Sequence, residues 1–232
     1  MRQLEFGWYL PTNGDTTSFN DPNATVPPSA RMMERIILAA EAAGFEYILI
    51  PVVNYCWKAV VIASYLIAKT RHIKPLIAAK PGYVNPVLFA KTMATLDQMT
   101  QGRLAINLIA GQAESDFKSD GISYSKEQRY ALMAEEVAIM KMLWGSTETI
   151  DFNGEFHTLT QASIVPENIS KLQTKAVEHG RAGQLGFGMR LQIMCRESEQ
   201  DAWDAAHRLI ANSSDANRQA ILDNTFNSVA NQ

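Results

Sequence analysis

A chain of 232 residues, 47% of them hydrophobic and 19% charged, is long enough to bury one sizeable core. Its formal net charge of −3 offers no basic patch for nucleic acid or anionic lipid, which excludes those partners. No run approaches about 18 uncharged apolar residues, and Met1 to Leu10 lacks the basic-then-apolar order of a secretory leader, so the expectation is a soluble, cytoplasmic protein.

Read in chain order, short apolar runs rich in β-formers alternate with longer amphipathic stretches, the pattern of βα units on a parallel sheet. Leu4 to Leu10 reads as the first strand. Pro28 to Ala43 follows as a helix with Ser29 as N-cap and Gly44 just past its end. Tyr47 to Pro51 is the second strand, Trp57 to Lys69 a helix, Lys74 to Ala79 the third strand and Pro86 to Met99 a helix. Leu104 to Ala110 is the fourth strand, with Lys126 to Trp144 a long helix after it. Asp151 to Leu159 places Asn-Gly between extended residues, which predicts a tight hairpin turn. Helices are expected over Pro166 to Gly180, Glu197 to Asn212 and Ser214 to Asn231, with a strand from Phe187 to Cys195.

Several chemistries lack their residues. The two cysteines, Cys56 and Cys195, have no CxxC spacing, and His72, His157, His179 and His207 show no HxH or HxxxH pairing, so no metal site is expected. Neither GxGxxG nor GxxxxGK[ST] occurs, and GFG at Gly186 to Gly188 is too short to mark a nucleotide loop.

The run from Ala94 to Gly111, ATLDQMTQGRLAINLIAG, is a helix, a polar turn and a strand ending in Ala-Gly. This A-T-L-D-x-[LM]-[ST]-x-G-R pattern, followed by an apolar strand with Asn, resembles the bacterial luciferase-like flavin monooxygenases. LPTNGD (Leu10 to Asp15), Cys56 just after IPV, and GMRLQIMCRE (Gly188 to Glu197) are most similar to the alkanesulfonate monooxygenase branch. The resemblance implies an α/β fold, a (β/α)8 TIM barrel of the luciferase-like type, forming a single domain over residues 1–232. Only five convincing barrel strands can be placed, so the barrel is expected to be incomplete in this chain. The family's next strand and its Gly-Gly-Ser-Ser phosphate loop are skipped after Ser163, and its last two units are absent after Gln232. Missing segments of a longer protein, or a natural deletion, are the two accounts.

The site residues follow from the resemblance, strand end by strand end. Asn13 stands where relatives commonly carry His; Val52, Val53 and Cys56 follow the second strand, where backbone lies against the flavin and a Cys lines the active site. Ala78 ends the third strand, beside the isoalloxazine. Asn107 contacts the flavin's polar edge, Asp116 follows, and Arg129 with Tyr130 approaches the ribityl phosphate. A surface ion pair of Arg129 with Asp116 or Glu127 is the alternative. Arg190 and Gln192 stand where relatives show Arg-x-His, with the Arg suited to a sulfonate; Gln192 and Asn13 together remove two imidazoles, which favours a neutral sulfone or another small organosulfur or carbon compound. Asp97 and Arg103 are expected to pair across the turn as architecture. The implied function is a two-component monooxygenase that takes reduced FMN from a partner flavin reductase and uses O2 on a small organosulfur substrate. A deazaflavin (F420)-dependent oxidoreductase and a flavin-binding protein without turnover are the rivals. The family's habit is a homodimer or homotetramer, with Trp57 to Ala68 as a candidate interface helix.

Overall fold

The computed structural model describes residues 5–18, 21–110, 114–165, and 200, 201, 203, 204 and 207. The strand and flanking helices expected between Pro166 and Asn231 therefore fall largely outside the described residues, as do Arg190 and Gln192. The chain divides into two compact units, Met1–Thr12 with Ala30–Ala182, and Asn13–Ser29 with Gly183–Gln232.

The first unit carries the parallel sheet. Its elements, in a numbering that runs through the whole chain, are β1 (Gly7–Tyr9), α1 (Ala30–Ala42), β4 (Tyr47–Ile50), α2 (Ala59–Ile67), β5 (Lys74–Ala79), α3 (Pro86–Thr100), β6 (Ala105–Leu108), α4 (Glu114–Ser119), α5 (Lys126–Gly145), β7 (Ile150–Asn153) and β8 (Thr158–Ala162). The second unit contains a short antiparallel pair, β2 (Asp15–Thr16) with β3 (Thr25–Val26). Between them lies a single 3-10 turn, Pro22–Ala24, capped by the Asp21 carboxylate at 2.9 Å from Asn23 N. Sequence reading had no strand there, because two-residue strands carry no periodicity to detect.

The four parallel strands pair in chain order, β1-β4-β5-β6, with Gly7 opposite Tyr47, Leu49 opposite Leu76 and Ala78 opposite Asn107. Because the order never reverses, every crossover helix lies on one face, which is the winding of a barrel wall and not of a doubly wound sheet. Alternation assigns the faces. Ile48, Ile50 and Ile77 are fully buried against Met33, Ile37, Ile62, Leu66 and Met93 from α1, α2 and α3. Tyr9, Leu49, Leu76, Ala78 and Asn107, one residue out of step, point to the opposite face. Burying each of those isoleucines contributes about 1.5–3 kcal/mol, so this face is where the sheet's stability sits. Among the described residues no helix is long and apolar enough to cross a membrane.

Local chemistry explains the helix ends. Asn85 caps α3 by accepting from Val87 N at 3.0 Å and Leu88 N at 3.3 Å, with Pro86 at the first helical position, where its missing N–H costs nothing. Gln101 closes the same helix in the left-handed region at φ 57°. Ser125 and Gln128 form a reciprocal capping box at the start of α5, with bonds of 2.9 and 3.2 Å.

At the end of the sheet where β4, β5 and β6 begin, the turn from α2 to β5 is held by two ionic groups. Arg103 donates to the carbonyls of Ile73 (2.8 Å), Thr100 (3.0 Å), Thr70 (3.2 Å) and Ile67 (3.4 Å). Glu41 accepts from the backbone N–H groups of Arg71, His72 and Ile73 at 2.8, 2.6 and 3.0 Å. The architectural role expected of Arg103 is thus exercised on main-chain carbonyls.

The hairpin β7–β8 departs from expectation. Asn153 pairs with Thr158, so Asn-Gly is not a two-residue turn; Gly154 to His157 form a four-residue loop closed by Gly154 N–H on the His157 carbonyl at 2.9 Å. The cause is an outside partner. The Glu135 carboxylate of α5 enters the loop and accepts from the N–H groups of Glu155, Phe156 and His157 at 2.7, 3.0 and 2.6 Å. A Cβ at Gly154 would overlap that carboxylate, so glycine serves close approach here instead of a tight turn.

Candidate functional site

The ends of the parallel strands are joined to one another by hydrogen bonds between their following loops. After β4, the chain turns at Val53–Cys56, with Cys56 N–H on the Val53 carbonyl at 2.9 Å, and Trp57 N–H then reaches the Thr12 carbonyl after β1 at 3.3 Å. Asn54 in the same turn accepts from Lys80 Nζ after β5 at 3.4 Å and donates to Ser119 of α4 at 2.7 Å. Gly82 N–H reaches Glu136 of α5 at 3.0 Å, and Arg129 Nε reaches the Ala110 carbonyl after β6 at 3.0 Å. Four strand ends and two helices therefore share one rim.

The sequence-predicted residues of the first unit distribute over this rim unevenly. Ala78 and Asn107 are register partners on the face away from the helices. Val52 and Ala78 also border a shallow cleft whose wall includes Lys80, Val84, Phe89 and Glu136. Val53 and Cys56 are half-buried in the turn beside it, and the Cys56 thiol is free. Asp116 lies in α4. Asn13 belongs to the second unit, where it occupies an exposed turn position.

Arg129 is buried, 6% exposed, and turned inward. Beyond the Ala110 carbonyl it donates to the Tyr124 carbonyl at 3.0 Å, and its guanidinium lies over the Phe117 ring at 4.5 Å. This differs from a surface ion pair with Glu127: the arginine fastens the end of β6 to the loop before α5 and to α4. Tyr130, the next residue on the helix, is 43% exposed.

Two charged groups on the cleft wall escaped the sequence reading. Lys80 is buried, with its ammonium over the rings of Tyr83 and Phe117 at 5.3 and 5.1 Å. Glu136 is buried as well. Burial, foremost, pushes its carboxyl above the ordinary range, the Gly82 N–H and the nearby His157 pull it back, and Glu135 adds to the push. Neither residue sits in a recognisable motif; the only signal in the sequence is a charged residue on an otherwise apolar helical face, Glu136 between Leu132, Ile139 and Met140. At the end of β1 the Thr12 hydroxyl is buried without a hydrogen-bond partner among the described residues.

A family model for luciferase-like monooxygenases matches residues 4–173. The chain belongs to the luciferase-like monooxygenase family. Its fold is therefore the α/β, TIM-barrel type, of which the structure describes the wall β1-β4-β5-β6 and its helices. Solved structures agree at the level of fold. The EDTA monooxygenase of Chelativorans sp. BNC1 superposes with a TM-score of 0.58 at 14% identity, over 71% of this chain and 47% of that one. The coenzyme F420-dependent tetrahydromethanopterin reductase of Methanopyrus kandleri gives 0.59 at 18%, over 74% and 49%. A monooxygenase from Streptomyces bottropensis gives 0.56 at 23%, over 94% of this chain and 67% of that one. The chain thus spans about half the length of the first two structures.

Proposed function

We propose that this luciferase-like chain is an FMN-dependent monooxygenase that seats the flavin ring at the rim formed by the ends of β4, β5 and β6. The observation that carries the reading is the Ala78–Asn107 pair. A methyl group beside a primary amide, on the face away from the packed helices, gives a planar ring room to lie against backbone and an amide to meet its polar edge. The residues fit the ring on that ground. Asn107 would bond the ring's polar edge, while Val52, Val53 and Ala78 supply surface without competing polar groups. Toward the phosphate, the exposed Tyr130 hydroxyl is the available donor; Arg129, engaged with two carbonyls, holds the segment that presents it.

Reduced FMN, delivered by a partner flavin reductase, supplies the electrons and activates O2. The work of the chain is then binding, orientation and exclusion of water. The apolar wall of the cleft, Val52, Val84 and Phe89, keeps water from the ring, and Cys56 in the adjoining turn borders the guest. A small organosulfur substrate, sulfonate or sulfone, is the proposed guest. That part rests on the resemblance of the sequence to the sulfonate branch, in which Arg190 and Gln192 stand at an Arg-x-His position.

The test is a titration of the full chain with FMN and with deazaflavin, followed by turnover with reduced FMN, O2 and a panel of sulfonates and sulfones assayed for sulfite or for oxygenated product. The proposal expects FMN binding and substrate-dependent O2 consumption. Deazaflavin binding with hydride transfer and no need for O2 would replace it with the second reading, which is favoured by F420-dependent proteins standing among the structures of the same fold. Binding of FMN without turnover on any substrate would leave a flavin-binding protein.

A further inference from the structure

A helix of six residues such as α4 does not hold itself, because isolated helices shorter than about 12–15 residues are marginal in water. Tertiary contact must seat it. Among its described side chains, Phe117 is fully buried while Lys118 and Ser119 are exposed. Two cations from different elements converge on the Phe117 ring: the Lys80 ammonium, from the loop after β5, lies 5.1 Å from its centroid, and the Arg129 guanidinium, from α5, lies 4.5 Å from it. Both cations are buried, which makes such contacts stronger than they are in water. Each is also anchored to a strand end, Arg129 to the Ala110 carbonyl at 3.0 Å and Lys80 by its place in the chain directly after β5. Tyr83 meets the same ring edge-on, at 5.7 Å and 63°. Two further bonds reach α4 and its exit, from Asn54 to Ser119 at 2.7 Å and from Tyr83 to Asp120 at 2.9 Å, but both are exposed and compete with water. The hold on α4 is therefore concentrated on one ring.

We propose that Phe117 is a positioning residue of the rim: its ring, shared by Lys80 and Arg129, seats α4 on the loop after β5 and on α5 through cation–π attraction. The face of an aromatic ring carries partial negative charge, and that charge is what two buried cations can grip. Hydrophobic packing alone would hold the ring regardless of its charge distribution, so the two accounts differ in a property that chemistry can vary without changing the ring's size. The seat also fixes where Lys80 stands on the cleft wall and where α5 presents Tyr130. Its consequence for FMN rests on the reading proposed above; the seat itself does not.

The test replaces Phe117 in the full chain by mono-, di- and trifluorinated phenylalanines, which drain charge from the ring face stepwise at nearly constant shape. Hydrogen exchange of the Ile122 amide, which donates to the Phe117 carbonyl at 2.8 Å, reports whether α4 is seated; the Ile109 amide, bonded to the Ala79 carbonyl at 3.0 Å, reports the sheet. Protection at Ile122 should fall with each fluorine, by about five- to thirtyfold at the trifluorinated ring, while Ile109 changes by less than about twofold. Lys80→Met keeps a long stem and removes one charge, so in that background the same series should cost only about two- to fivefold. Equal protection across the series, an equal fall at Ile109, or a fall that Lys80→Met leaves undiminished overturns the proposal. FMN affinity over the same variants is read separately. A stepwise loss supports the role at the site, and an unchanged affinity overturns that role. No FMN binding by wild type sinks the flavin reading, and the exchange data still decide the seat.

Discussion

Ala78 and Asn107 stand directly opposite one another on neighbouring parallel strands, both facing away from the helices that pack the sheet. Neither belongs to the cluster formed by Ile48, Ile50 and Ile77; Ala78 is buried on its own face of the sheet and Asn107 is half-buried there. Replacing Asn107 by Leu should leave the melting temperature within a few degrees of wild type while weakening FMN about tenfold, or ~1.4 kcal/mol, as measured by fluorescence titration. An unchanged affinity would remove Asn107 from the site.

Arg129 and Tyr130 are adjacent in sequence but separable in effect. Arg129→Lys surrenders the forked geometry that reaches both Ala110 and Tyr124, and should cost about 1.5–3 kcal/mol of stability in urea unfolding. Tyr130→Phe, at an exposed position, should leave stability within about 0.5 kcal/mol and weaken FMN relative to riboflavin, which lacks the phosphate. A reversed pattern would mean that the arginine, not the tyrosine, meets the ligand.

The Cys56 thiol is half-buried in the turn beside the cleft. Alkylation by iodoacetamide should proceed slowly in the free protein and slow further when FMN saturates it, read by mass spectrometry of the peptide. Equal rates with and without FMN would place the thiol away from the ligand. Cys56→Ser should change stability little, since the turn is closed by backbone atoms.

Two glutamates should move stability with pH in opposite senses. For Glu41, burial opposes the charge, yet bonds from the N–H groups of His72, Ile73 and Arg71 together hold its carboxyl below the ordinary 4.5. A lowered acid gives stability that is present above 4.5 and lost as pH falls through the folded value, so Glu41→Gln should be weaker than wild type at neutral pH and equal to it in acid. The difference should be about 1 kcal/mol, because much of the turn is wet. For Glu136, whose carboxyl is raised by burial, stability is present below 4.5 and lost as pH rises through the folded value. Glu136→Gln should therefore gain on wild type as pH rises, by urea midpoints taken from pH 4 to pH 8.

How much of this was legible in the sequence differs by element. Lys74 to Ala79 is a strand at the expected limits, because a continuous apolar run between a polar turn and a Lys-Pro-Gly exit leaves little choice. The starts of α3 and α5 were equally plain, since Asn85-Pro86 and Ser125 with Gln128 write their own caps. The Asn-Gly at 153–154 misled for a physical reason: turn chemistry is local, but the loop there is organised by Glu135, nearly twenty residues earlier. The proposed site divides the same way. Ala78 and Asn107 are proposed from motif and register, whereas Lys80 and Glu136 reach the cleft wall through tertiary approach that no spacing records. Arg129 reads in the sequence as a phosphate donor or a surface ion pair; its bonds to the Ala110 and Tyr124 carbonyls are what the structure adds, since a sequence shows a cation without showing what it will touch.

The turn from α2 to β5 is grasped from both sides, its carbonyls by a cation and its amides by an anion. Its length is consequently set by the reach of one guanidinium and one carboxylate. An inserted residue there would put the two grips out of step. A change in length at this base would be felt by both grips at once, so the spacing from helix to strand is fixed there by charge as well as by packing.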